Sequence, residues 1–340
     1  MDTIKESLAP KPVFCILNVY PLCMFKCKMC YIWKRSGFEM MSFEKIKQFI
    51  DTLAEFTENK VAINFIGGEP LLRKDIFDLI AAASKYGLRT SLCTNGYLLD
   101  YAMAKRLCES GLNGLAISLD SLDEQTHDAM RGKKGSYRKI MQAMEYLSCF
   151  ISKEFEVNIQ TIISQQNLTG LVELAKWVQG SAVFCGIYYM AVVQPLDAQD
   201  ADNWRIKEPY RALWPQEPKE VNAVIDELIR LRSSEIHSKI GNSVSQFKAF
   251  KSYFEEPDRF LKRISCNVGA YALNVDYAGD CSPCFNLGII GNICKDNIKD
   301  MWHSDKALQL RQKMKQCSKN CNFLINCYKA ETSDESELMV

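Results

Sequence analysis

From residue 13 to about residue 193 the chain alternates between two hydrophobic rhythms. Short β-rich runs at Val13–Val19, Val61–Ile66, Leu88–Cys93, Gly114–Leu119, Glu156–Ile163 and Val183–Val193 read as strands. Between them, Phe43–Phe56, Ile76–Tyr86, Leu99–Glu109, Tyr137–Phe150 and Leu168–Val178 place apolar residues near a 3.6 period and read as helices. Ser42 and Asn167 stand where N-caps would open the first and last of these. Strand–helix alternation predicts parallel βαβ units, arranged as an open doubly wound sheet or an incomplete barrel. Either arrangement puts ligand loops at the C-terminal ends of the strands. Gln194–Pro218 breaks the rhythm with four prolines and two tryptophans and reads as a long loop or lid. Lys219–Arg232 has one apolar face, and Gly241–Arg263 reads as helix interrupted at Pro257.

Composition narrows the classes. Forty-two basic against 41 acidic residues leave a net charge of +1, so no charge excess points to nucleic acid. The longest apolar run, Val183–Val193, is too short to span a bilayer. Met1–Pro12 has no apolar core, so no signal peptide is expected. The outlier is fifteen cysteines against three histidines. An odd count in a long chain fits a disulfide scaffold poorly, so the expected setting is a reducing cytoplasm where thiols serve as metal ligands or as core residues.

Three thiols, Cys23, Cys27 and Cys30, follow directly after the first strand. On one loop they can converge on a metal centre, and thiolates suit zinc or an iron–sulfur cluster. Zinc would need a fourth ligand brought from elsewhere, whereas three thiolates on a four-iron cluster leave one iron open.

The Cys-x3-Cys-x2-Cys pattern in that position, followed by Tyr31, resembles the radical SAM superfamily. The resemblance implies an incomplete (β/α)6 TIM-like barrel over residues 13–193. It also implies a 4Fe–4S cluster on the three thiols that chelates S-adenosylmethionine and cleaves it to a 5′-deoxyadenosyl radical. Further loops fall in family order at successive strand ends: Gly67-Gly68-Glu69-Pro70, Thr94-Asn95-Gly96 and Ser118-Leu119-Asp120. By resemblance, Gly67, Gly68, Glu69 and Pro70 serve the methionyl amino group. Thr94, Asn95, Ser118 and Asp120 face the cofactor, Arg131 pairs with the methionyl carboxylate, and Asn158 faces the adenosine.

Residues 194–262 are expected to form a lid loop and linking helices, 263–330 a small cysteine-rich unit, and 331–340 an acidic tail. Seven cysteines crowd into Cys266–Cys327, with Gly279 placed for a tight hairpin before Cys284. The segment resembles the SPASM and twitch extensions of the same superfamily, which implies at least one auxiliary 4Fe–4S cluster on Cys266, Cys284, Cys317, Cys321 and Cys327. The later half of the full pattern is incomplete, because Glu331 stands four residues after Cys327. Recruitment of Cys281 or Cys294 would permit a second auxiliary cluster. A four-cysteine zinc ribbon is the competing reading of this segment.

Cys15, Cys93, Cys108, Cys149 and Cys185 lie inside strand and helix patterns and are expected in the core. The resemblance further implies a substrate that is a peptide or protein side chain or a small sugar-like molecule, and an electron donor such as flavodoxin or ferredoxin. Only about 22 residues precede Cys23, which weakens the expectation of leader-peptide recognition. The alternative of another class is a non-catalytic zinc-binding or iron–sulfur scaffold, or a redox sensor.

Overall fold

The structure, a computed structural model, describes residues 10–30, 32–34, 39–150, 152–195, 204–284, 286–317 and 319–327. Tyr31, part of the 194–218 lid and the acidic tail lie outside the described residues.

Six strands follow the expected order: β1 (Phe14–Tyr20), β2 (Ala62–Gly67), β3 (Thr90–Thr94), β4 (Gly114–Ser118), β5 (Glu156–Ile163) and β6 (Gly186–Ala191). Each pairs in parallel with the next. The intervening helices are α1 (Phe43–Thr57), α2 (Ile76–Ser84), α3 (Tyr101–Glu109), α4 (Glu124–Arg131), α5 (Ser136–Ser148) and α6 (Leu171–Gly180). They cover one face of the sheet. On β5, Val157, Ile159, Thr161 and Ile163 are buried, while Asn158, Gln160 and Ile162 on the other face are half-buried. On α1, the buried stripe Ile46, Phe49, Ile50 and Leu53 sits at helical spacing, and Ser42 caps the helix by accepting the Lys45 N–H at 3.3 Å.

Helix α4 went unread in the periodicity because it is short and polar. Its signals are Asp123, which accepts the Thr126 N–H at 2.8 Å, and Gly132, which ends it at φ +60°. Asn167 stands at the N-cap position of a 3-10 turn, Leu168–Gly170, but its side chain makes no cap bond. Its Oδ1 accepts the Ser164 N–H, and its Nδ2 donates to the carbonyls of Asp120 and Ile162, tying the ends of β4 and β5 together. In the lid, Trp204 is buried edge-on against Trp214, whose own ring packs on Tyr253 and Phe254, so both indoles form a plug.

The remaining helices are α7 (Pro218–Ser234), α8 (Val244–Glu255), α9 (Pro257–Arg263), α10 (Ile298–Trp302), α11 (Asp305–Lys315) and α12 (Asn322–Asn326). The cysteine-rich segment also contributes β7 (Ala272–Val275), β8 (Asp280–Ser282) and β9 (Gly291–Asn292). Instead of standing apart, it extends the same sheet: β7 pairs in parallel with β1, and β8 and β9 follow antiparallel. Gly279 turns the β7–β8 hairpin at φ +91°. At the opposite edge, the Asn326 side chain accepts the Ala191 N–H at 2.7 Å and donates to the Ala191 carbonyl at 3.0 Å, standing in for a neighbouring strand. One segment therefore grips both flanks of the six-stranded array.

Candidate active site

The loop after β1 carries Cys23, Cys27 and Cys30. It is anchored by Phe25, which is 1% exposed and meets the Tyr97 ring edge-on at 5.6 Å. The β2 loop runs alongside it: Gly68 N–H donates to the Tyr20 carbonyl at 2.7 Å and Glu69 N–H to the Leu22 carbonyl at 2.8 Å. A Cβ on Gly68 would lie 2.1 Å from the Leu22 oxygen and 2.8 Å from the Cys23 nitrogen. The glycines expected to admit a ligand are thus required first by the approach of two backbones, which sets the position of Cys23.

Glu69 is fully buried and its carboxylate is satisfied. Oε1 accepts from the Leu71 N–H and the Thr94 hydroxyl, and Oε2 accepts from the Asn95 N–H at 2.9 Å. Burial pushes its pKa up to about 7, against the pull of these three donors. Its side chain therefore braces the β2 loop to the β3 loop. Asn95 in turn directs Nδ2 at the Cys23 sulfur (3.8 Å) and the Met24 sulfur (3.4 Å).

On the far side, Arg131 at the end of α4 forms an ion pair of 2.7 Å with Asp120 after β4, with Asp120 fully buried and Arg131 nearly so. The guanidinium also sits close enough to Cys27 to favour its thiolate, although burial and the neighbouring thiols leave Cys27 pushed up to about 12. Arg131, expected to meet a methionyl carboxylate, has Asp120 as its partner here. His127, which is buried, accepts the Asp120 N–H on Nδ1 at 3.2 Å. Its proton therefore rests on Nε2, and burial pulls its pKa down to about 4, so the ring is neutral. Sequence reasoning singled out the His127–Gly132 stretch but gave this histidine no role, and it missed Gln160. Cys93 donates to Gln160 Oε1 at 3.2 Å, and Gln160 pairs in register with Ser118. Asn158 lies one layer deeper, opposite Ala116 and Gly186. Period-two alternation along β5 would have pointed to Gln160 as the residue nearer the strand end.

Cys23, Cys27 and Cys30 lie within electrostatic range of one another, although among the described residues no three His, Cys, Asp or Glu side chains are drawn together closely enough to hold a metal ion. A second set lies within the same kind of range: Cys266 after α9, Cys284 after β8, and Cys317 and Cys321 beyond α11. Cys327, at the end of α12, joins Cys266 around Tyr271. Four of these sulfurs accept a backbone N–H from two or three residues ahead: Cys23 from Phe25, Cys266 from Val268, Cys284 from Asn286 and Cys321 from Leu324. Such turns offer the sulfur a donor that strengthens its anionic form, which suits a metal-bound thiolate. No disulfide forms among the described residues.

The unresolved pair lies elsewhere. Cys281 is fully buried beside Cys15, and Cys294 lies under Gly279, with its sulfur 3.2 Å from where a Cβ would be. Of the five thiols expected in the core, Cys15 is there, Cys93 reaches the site, and Cys108 is half-buried. Cys149 and Cys185 are exposed because one caps the end of α5 and the other precedes β6, where the chain leaves the packed face.

Residues 17–177 match the model of the radical SAM superfamily, and residues 266–328 match that of an iron–sulfur cluster-binding domain. The chain belongs to the radical SAM superfamily and carries the SPASM type of C-terminal domain. It is 37% identical over 167 residues to the Fe-coproporphyrin III synthase of Methanosarcina barkeri, covering 48% of this chain and 40% of that protein. It is 23% identical over 332 residues to the PqqA peptide cyclase of Bradyrhizobium diazoefficiens, covering 92% of this chain and 79% of that protein. In fold it is similar to Streptococcus suis SuiB bound to S-adenosylmethionine, with a TM-score of 0.69, 15% identity, and 89% of this chain and 68% of that chain covered. Several of the matched proteins thus extend well beyond the aligned region; the Fe-coproporphyrin III synthase is spanned over less than half of its length. The fold is the TIM-like radical SAM barrel. The two matched domain types imply a 4Fe–4S cluster, S-adenosylmethionine and an auxiliary iron–sulfur cluster as cofactors. Among the described residues no helix is long and apolar enough to cross a membrane.

Proposed function

We propose that Cys23, Cys27 and Cys30 hold the cluster that binds S-adenosylmethionine, and that a hydrogen atom is taken from a peptide or protein side chain or a small sugar-like molecule at the sheet's C-terminal end. The observation that carries this is the placement of three thiols on one short loop, braced by the β2 and β3 loops and faced by Arg131. When bound, the cluster supplies the electron that cleaves the sulfonium and releases the 5′-deoxyadenosyl radical that takes the substrate hydrogen.

The chain's own groups position and shield that event. Through backbone hydrogen bonds Gly68 fixes Tyr20 and Glu69 fixes Leu22, and together they set Cys23. Glu69 locks Thr94 and Asn95 in place, and Asn95 orients the Cys23 sulfur. The Arg131–Asp120 pair holds a positive group in a water-poor setting beside Cys27, where it offsets the anionic thiolates. Gly67, Pro70, Ser118 and Asn158 complete the set assigned to the cofactor. Cys266, Cys284, Cys317, Cys321 and Cys327 supply the auxiliary cluster, which aids substrate oxidation or binding. The alignment with a peptide cyclase over nine-tenths of the chain supports the peptide reading. Electrons come from a flavodoxin- or ferredoxin-type donor in the cytoplasm.

Anaerobic purification with iron and sulfide quantitation tests the reading, followed by incubation with dithionite and S-adenosylmethionine. 5′-Deoxyadenosine is expected from the wild-type chain and not from Cys27→Ala. Near-stoichiometric zinc without labile sulfide would turn the assignment to a scaffold, and 5′-deoxyadenosine from Cys27→Ala would remove the cluster from this loop.

A further inference from the structure

The outer surface of the cysteine loop is basic. Lys26 and Lys28 flank Cys27 and are exposed. The turn after α4 packs directly against them: the Lys28 N–H donates to the Met130 carbonyl at 3.0 Å, and a Cβ on Gly132 would stand 2.3 Å from the Lys26 carbonyl oxygen. This contact brings Lys133 and Lys134 beside the loop. Aromatic rings order the ammonium groups. Those of Lys26 and Lys34 lie 5.7 and 5.5 Å from the Trp33 ring centre, and that of Lys133 lies 4.9 Å from Tyr97, which itself packs on the loop anchor Phe25. Segments 21–38 and 129–144 contain no aspartate or glutamate. Among the described residues Lys26, Lys28, Lys133 and Lys134 form no ion pair. In a chain of net charge +1, this is a local concentration of positive charge beside the loop that bears the catalytic thiols.

We propose that this lysine surface is the docking face for an acidic one-electron carrier protein of the flavodoxin class. The inference rests on the function proposed above and adds the partner's place to it. Charge complementarity selects the partner: an unneutralised basic face steers an acidic protein and sets its on-rate and orientation. Position supplies the purpose. Lys26 and Lys28 are the immediate neighbours of Cys27, so a carrier seated on their ammonium groups stands within roughly 10 Å of the thiol loop, given 3.8 Å between consecutive Cα atoms. The transfer is one electron from the reduced flavin to the oxidised cluster, which leaves the flavin oxidised by one electron.

The test uses the reconstituted holoenzyme and a purified bacterial flavodoxin. Binding is titrated at 50 and 200 mM salt, and 5′-deoxyadenosine formation is followed with reduced flavodoxin or with reduced methyl viologen, which needs no docking face. For the triple variant Lys26→Glu, Lys28→Glu, Lys134→Glu, flavodoxin binding and flavodoxin-driven turnover should each fall at least tenfold, and the wild type's weakening at higher salt should flatten. Turnover with methyl viologen should stay within twofold of wild type. Unchanged flavodoxin binding in the variant overturns the proposal. Equal loss with both reductants also overturns it, because the lysines would then act on the cluster itself, as does tighter binding of duplex DNA than of flavodoxin to the wild-type face. Absence of 5′-deoxyadenosine from the wild type with methyl viologen would sink the catalytic reading instead, and the titration would still decide the docking face.

Discussion

Replacing Gly68 by alanine isolates the role of backbone approach in building the cluster loop. The new methyl would lie 2.1 Å from the Leu22 oxygen, 2.3 Å from its carbonyl carbon and 2.8 Å from the Cys23 nitrogen, all main-chain atoms with no rotamer to yield. The two loops must part by about 1 Å. Overpacking of this kind costs about 1–3 kcal/mol. The separation also stretches the Gly68–Tyr20 and Glu69–Leu22 hydrogen bonds, each contributing about 0.5–1.5 kcal/mol. A total loss of about 2–6 kcal/mol is expected. A ~1 Å displacement of a reacting group commonly lowers rate about 100-fold. The assays are urea unfolding of the chain, iron and sulfide content after anaerobic reconstitution, and 5′-deoxyadenosine yield. Gly87→Ala serves as the control. Gly87 has φ +69° but nothing within 4 Å of an added Cβ, so it should lose only about 1–2 kcal/mol and keep its full iron content. If Gly68→Ala reconstitutes fully and unfolds like the wild type, the argument from loop contact fails.

The remaining expectations concern buried groups and the division of thiols. Glu69 has its pKa raised from 4.5 to about 7 in the fold, so the unfolded chain releases this proton first; stability of the metal-free chain should fall by roughly 3 kcal/mol as pH rises from 4.5 to 7, and Glu69→Gln should abolish that slope in urea melts taken from pH 5 to 8. Asp120→Asn strands the Arg131 guanidinium in a buried site and should cost about 3–5 kcal/mol; a loss below about 1 kcal/mol would mean that Arg131 has another partner. Cys281→Ala and Cys294→Ala should leave iron content unchanged while Cys284→Ala lowers it, because the first two sulfurs stand apart from the auxiliary set.

The barrel was legible in the sequence because its strands and helices carry clean periods. Glu156–Ile163 alternates residue by residue, and α1 opens at Ser42 as expected. The cysteine spacings located both thiol groups, since covalent neighbours on one loop cannot lie far apart. What the sequence left hidden is long-range. No local pattern says that Asn326 caps β6, that β7 lies beside β1, or that Arg131 is answered by Asp120. Helix α4 escaped because its polar sequence gives no apolar stripe. Cys149 and Cys185 were misplaced because an element's terminus, unlike its middle, opens onto solvent.

The pairing of β7 with β1 also sets a timetable for biosynthesis. Phe14 meets Ala272, a partner made 258 residues later. At roughly 5–20 residues per second, the ribosome needs about 13–50 s to supply it. During that interval the outer edge of the first strand, which leads straight to Cys23, has no strand beside it and can recruit a strand from another chain. The nascent protein therefore passes through a stage in which its catalytic loop exists while the edge that supports it is still open. Iron delivery and protection of that edge fall in the same window, and slowing translation after β6 should favour aggregation over productive maturation.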